Sequence, residues 1–167
     1  RLADGKEKTV KMMRVEEKFK VAQRTDYAAV QLPYASGQFN LTLLIPSNNS
    51  SVDKVINSLS ATAWNELQGA LYQQQATVGL PRFTLDYEIN LNGILKAMGM
   101  SQAFTDAAQL GKINPTADLF VSFVKQNTYL GIDEKGTEAA AVTSIGVTTS
   151  SVGPDPYICD RPFVVLI

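Results

Sequence analysis

Histidine is absent from this chain, and cysteine occurs once, at Cys159. The commonest general base and metal ligand is therefore missing. Neither a Ser-His-Asp nor a Cys-His hydrolase can be assembled from these residues alone. One thiol closes no internal disulfide and supports no cysteine-rich zinc site, so Cys159 reads as a small packed hydrophobe. The sequence holds no Walker loop, no Gly-x-Gly-x-x-Gly fingerprint and no internal repeat. No catalytic group, metal or cofactor is expected. The stretch that invites chemistry is instead "DEKGTEAAAVTSIGVTTSSVGPDP", residues 133–156, which offers peptide bonds and hydroxyls for others to act on.

Taken at period two, residues 137, 139, 141, 143, 145, 147 and 149 are Thr, Ala, Ala, Thr, Ile, Val and Thr. That face carries no charge, while the alternate face begins with Glu138. One face could enter a core and the other meet water. "TEAAA" also permits helix. Loop, helix and strand all remain open, with little side-chain volume to resist a change between them. On composition alone the segment reads as an edge strand followed by a Pro-rich loop.

The rest of the chain must position this stretch. Its 167 residues, 45% of them apolar, suffice for one domain with a core. Fifteen basic residues face sixteen acidic ones, so nothing points to nucleic acid or to an anionic membrane. No apolar run is long enough to cross a bilayer, and no signal peptide is visible. Short strands are expected over 9–15 and 19–24. A hairpin is expected from 28–33 and 39–45, turning at Gly37. Helices follow over 52–59, and over 63–72 with Ser60 or Thr62 as cap. Residues 76–89 return to strand, broken at Pro81, with Phe83, Leu85, Tyr87 and Ile89 on a half-buried face. A short helix over 92–98 has Asn90 or Asn92 as cap and ends at Gly99. Strands over 119–132 and 163–167 complete an α+β, antiparallel-dominated chain.

Several stretches resemble the serpins, the serine protease inhibitor family. "DEKGTEAAAVT" (133–143) is similar to the serpin hinge, and "LPRF" (80–83) to the strand start Leu-Pro-Lys-Phe. "INLNGILKAMGMSQAF" (89–104), "ADLFVS" (117–122) and "DRPFVVLI" (160–167) follow in the family's order. "VKMM" (10–13), "AAVQLPY" (28–34) and "FNLTLLIP" (39–46) match earlier strands. The resemblance covers essentially the whole chain, 1–167. It implies the C-terminal portion of a serpin domain, an α+β fold of predominantly antiparallel sheets or barrel with short helices. Such a fold is incomplete without the N-terminal half, whose helices and main-sheet strands would be partners.

The resemblance also implies a function. Residues of about 134–160 would be the reactive-centre loop, bait for a serine protease, or a cysteine protease, that supplies the nucleophile itself. The chain would be an inhibitor and not an enzyme. The hinge would comprise Glu134, Gly136, Thr137, Glu138, Ala139, Ala140 and Ala141, small enough to insert into the main sheet after cleavage. Arg82 and Glu134 would pair where insertion begins. Counting forward from Glu134 by the family's spacing places the reactive bond at Ser150–Ser151. Counting back from Pro162 places it one residue later, and Thr149 is the neighbour on the other side. No Lys or Arg occurs between Ala139 and Tyr157. A trypsin-like pocket is therefore ill matched, and elastase- or subtilisin-like proteases preferring small residues are the implied targets.

The chain departs from the family at Gln126, where serpins usually carry a buried histidine, and at Asn90–Leu91, where Asp-Leu is usual. Sequons at Asn40, Asn48 and Asn49 read as chance. Lys6, Lys8 and Lys11 read as a solvated face. An extracellular, periplasmic or cell-surface location is expected. Two alternatives stay open: a non-inhibitory serpin-like binding module, and a fragment inactive on its own.

Overall fold

A computed structural model describes residues 5–34, 37–134 and 155–167. They fall into two compact units, Arg1–Phe83 with Ile132–Ile167, and Thr84–Gly131.

The first unit is built on a six-stranded sheet. Its strands are β1 (Met12–Gln23), β2 (Tyr27–Pro33), β3 (Asn40–Pro46), β4 (Tyr72–Pro81), β7 (Asp155–Ile158) and β8 (Val164–Leu166), in the order β7-β4-β1-β2-β3-β8. All neighbours are antiparallel except β4 and β7. The β2–β3 hairpin turns near Gly37, whose φ of 66° is cheap only for glycine. The expected pair of strands at 9–15 and 19–24 is one strand. Ten consecutive residues of β4 pair with β1, from Met12↔Pro81 to Val21↔Tyr72, and this ladder carries the charged run at 16–18 without interruption.

Two helices cover this sheet, α1 (Val52–Ser58) and α2 (Ala61–Ala70). Ser51 and Ser60 cap them, their hydroxyls accepting from the N–H of Lys54 and Ala63. Val55 and Leu67 project into a core with Ala22, Tyr27, Ala29 and Leu44. The cross-strand row Ala22, Ala29, Leu44 forms that face. The opposite row, Val21, Val30 and Leu43, is equally buried, so the middle of the sheet is covered on both faces. Lys54 to Asp26 at 2.6 Å, and Arg24 to the Glu66 carbonyl at 2.8 Å, tie the helices to the strand ends. The second helix ends two residues earlier than expected. Tyr72 already begins β4, because Tyr72 to Gln75 pair antiparallel with Val21 back to Lys18.

The strand β7 was not anticipated, since its Asp-Pro-Tyr-Ile sequence lacks alternation. It lies at the sheet edge, where Pro156 costs no ladder partner on the outer side.

The second unit holds β5 (Phe83–Asn90) paired with β6 (Lys125–Ile132). Between them come α3 (Asn92–Leu95), a π-type turn over Lys96–Met100 and a 3-10 turn over Ser101–Phe104. The expected 92–98 helix thus loses its α geometry after one turn. Gly99 still marks the reversal, with φ of 98°. Neither Asn90 nor Asn92 is the cap residue; that is Leu91, without a side-chain bond. Asn90 Oδ1 instead accepts from the Asn92 N–H at 2.9 Å. Residues 119–124 are not strand, because β5 turns into α3 at this level and leaves them no ladder partner beyond Val124. No residue of Thr84–Gly131 is fully buried. The expected half-buried face of β5 is open, with Leu85 47% and Tyr87 51% exposed.

Candidate functional site

The site is the pair of strand ends that carry residues 135–154. The residues expected to form the hinge and the reactive bond, Gly136, Thr137, Glu138, Ala139, Ala140, Ala141, Thr149, Ser150 and Ser151, lie outside the described residues. Their two anchors are described.

At the leading end, β6 closes on Ile132, which is buried. Glu134 follows, and its Oε2 lies 3.2 Å from Arg82 Nη1. Asp133 Oδ2 lies 4.0 Å from Arg82 Nη2. The sequence reading placed Arg82 and Glu134 together, and the structure brings them within ion-pair distance; Asp133 was not anticipated as a second carboxylate. Arg82 is held by its backbone, whose N–H donates to the Lys11 carbonyl at 2.8 Å. That bond continues the β1–β4 ladder one step past Pro81. About half of each side chain is exposed, 51% for Arg82 and 56% for Glu134. Water screens such a pair strongly. Beside it, Phe83 meets Phe163 edge to face, ring centroids 6.1 Å apart. Gln126, at the position where the family usually has histidine, is exposed on β6.

At the trailing end, β7 runs parallel to β4, from Ala76↔Asp155 to Gly79↔Ile158. The Cys159 N–H donates to the Gly79 carbonyl at 2.8 Å. A Cβ on Gly79 would sit 2.7 Å from Ile158 Cδ1. Glycine thus leaves room for the Ile158 side chain over β4, while the Ile158 Cα, 3.7 Å from that position, is in ordinary contact. Cys159 is buried, and its pKa is raised to about 12, by burial first and by the charge of Asp160 second. A thiol so protonated is no nucleophile. Arg161 lowers the Asp160 carboxyl, chiefly by a hydrogen bond at 2.9 Å. The same guanidinium donates to Asn48 Oδ1 in the turn before α1. Among the described residues no cluster of histidine, cysteine and carboxylates could hold a metal.

Both anchors therefore sit on one stretch of chain, Ala76–Arg82. Among the described residues of the two anchors, Arg82, Glu134, Asp160 and Arg161 are engaged in ion pairs, and Cys159 is buried and protonated.

The family model described as Serpin (serine protease inhibitor) matches residues 1–167. A "Serine protease inhibitor" of Cyanea capillata is 33% identical, over 99% of this chain and 45% of its own length. Serpin B11 of Homo sapiens is 31% identical, over 99% of this chain and 44% of its own. The crystal structure of the thermophilic serpin tengpin in the native state superposes with a TM-score of 0.78 and 26% identity. It is matched over 98% of this chain and 43% of that one. The chain thus spans about 45% of the length of the curated relatives it matches. With its motifs, its fold and this match along its whole length, the chain belongs to the serpin family.

Proposed function

We propose that a full-length serpin carrying this chain inhibits serine-type proteases by offering residues 135–154 as bait. The observation that carries this reading is the double anchorage on Ala76–Arg82, with Glu134 on Arg82 at one end and β7 on β4 at the other. A segment held at both ends and rich in small residues presents its peptide bonds to a protease cleft.

The protease serine attacks the carbonyl carbon of Ser150. The bond to the Ser151 nitrogen breaks, Ser151 takes the proton as a new amino terminus, and Ser150 is left as an ester on the protease. Thr137, Glu138, Ala139, Ala140 and Ala141 then allow the freed strand to insert before water reaches the ester. Insertion exchanges solvated backbone groups for ladder hydrogen bonds. It also buries Ile145 and Val147, each contributing about 1.5–3 kcal/mol when fully buried. Until cleavage, the Arg82–Glu134 pair holds the hinge in its uninserted place. The chain is inhibitor rather than enzyme, because the target supplies the nucleophile. It acts where such proteases are encountered, outside the cytoplasm.

Small hydroxyl residues at the reactive bond, with Val147 upstream, suit shallow apolar pockets of the elastase or subtilisin type. Trypsin's pocket carboxylate would be left buried and unpaired by Ser150. Second-order inactivation rates against an elastase, a subtilisin and trypsin test the target class. The first two should exceed trypsin by at least about tenfold. Equal or faster inactivation of trypsin overturns it.

A further inference from the structure

Asn92, the first residue of α3, turns its side chain onto the segment that leads into β6. Its Oδ1 accepts from the Val124 N–H at 2.8 Å, and its Nδ2 donates to the Ser122 carbonyl at 3.0 Å. The Val124 carbonyl in turn accepts from the Leu91 N–H at 2.8 Å. A carboxamide carries one acceptor and a donor in one plane, as a peptide does. Here it supplies the donor and acceptor that a strand residue would supply in an antiparallel ladder. It does so one step beyond β5, where the main chain has already turned into helix. Only one orientation of the amide satisfies both bonds.

All these groups lie within Thr84–Gly131, the unit in which no residue is fully buried. Within this chain no core covers β5 and β6, and a slip of one residue would reverse every side chain, so polar pairing contributes to the register. Lys125 to Glu88 at 2.7 Å is one such pair, exposed and weak. The Asn92 clamp engages main chain on both sides of Phe123 and has no such freedom. From Val124, β6 runs without interruption to Ile132, and the reactive loop follows Glu134.

We infer that Asn92 is a positioning residue that fixes the register of β6 against β5, and so fixes which residue begins the reactive loop. This role rests on the inhibitory reading above. A loop shifted in register is cleaved without being trapped, because its hinge no longer starts where insertion must begin. Asn92→Ala removes both bonds. Asn92→Asp keeps the acceptor but sets a carboxylate oxygen against the Ser122 carbonyl.

The test uses full-length serpin with Asn92, Asn92→Ala and Asn92→Asp. Amide hydrogen exchange at Val124 and through 125–132 should quicken by about tenfold in both variants. Exchange in β1, β2 and β3 should stay as it was. The stoichiometry of inhibition against a subtilisin, read as loop-cleaved serpin over SDS-stable complex so that an inactive fraction does not count, should rise at least about twofold. Unchanged exchange at Val124 overturns the clamp. Faster exchange with unchanged stoichiometry overturns the positioning role. An unmutated protein that traps no protease overturns the inhibitory reading and the positioning role together, while the exchange data still decide whether the clamp forms.

Discussion

At the scale of single residues, Arg82–Glu134 and Cys159 make separate claims. The ion pair joins half-exposed partners, so a double-mutant cycle of Arg82→Ala and Glu134→Ala should give a coupling of only about 0–1 kcal/mol. Its proposed role is to hold the hinge, and a coupling well above that range would show a drier pair than the geometry implies. Cys159 is protonated more tightly in the folded chain, with a pKa of about 12 against an ordinary 9.0. Stability from this group is complete below pH 9 and is lost as pH rises toward 12. Denaturant midpoints followed over that range should fall more steeply for the parent than for Cys159→Ala; parallel curves would show that the thiol is not held from water. Sequence made Arg82, Glu134 and the inert thiol legible. It offered Asn92 only as a helix cap and not as a clamp on 122–124, because a side chain that mimics backbone leaves no periodic or compositional signal.

At the scale of elements, apolar strands around a glycine turn and helices capped by a serine were readable, as β2, β3, α1 and α2 show. The errors have physical causes. A strand such as β1 continues through charges when its neighbour supplies ten partners. A strand such as β7 forms from Asp-Pro-Tyr-Ile when an edge position makes no demand on proline. Residues 119–124 have strand composition but lack a partner. The β4–β7 contact yields a prediction. Gly79→Ala should destabilise by about 1 kcal/mol, and Gly79→Val by about 1–3 kcal/mol, through collision with Ile158. Because the nearest atom is Ile158 Cδ1, at 2.7 Å, adding Ile158→Val to Gly79→Ala should restore part of the loss. Thermal unfolding checks this; strict additivity of the two changes would place the strain elsewhere.

At the scale of the molecule, the first unit has its own core and the second does not, consistent with a chain spanning about 45% of the length of its relatives. The inhibition proposed above, by strand insertion, would belong to the whole serpin. It predicts that Thr137→Arg turns inhibitor into substrate. A guanidinium at the first inserted position resists burial, insertion slows, and hydrolysis of the ester wins. Loop cleavage without complex would be seen on gels, and trapping at unchanged stoichiometry would remove hinge insertion from the mechanism. The central claim, that the loop is cleaved at one bond and the protease retained, is tested most directly by mass spectrometry of a full-length serpin mixed with a subtilisin. The predicted result is a complex that survives SDS, together with a released C-terminal peptide beginning at Ser151. A peptide beginning at Val152 moves the bond by one residue, whereas cleavage in the loop with no SDS-stable complex contradicts the account.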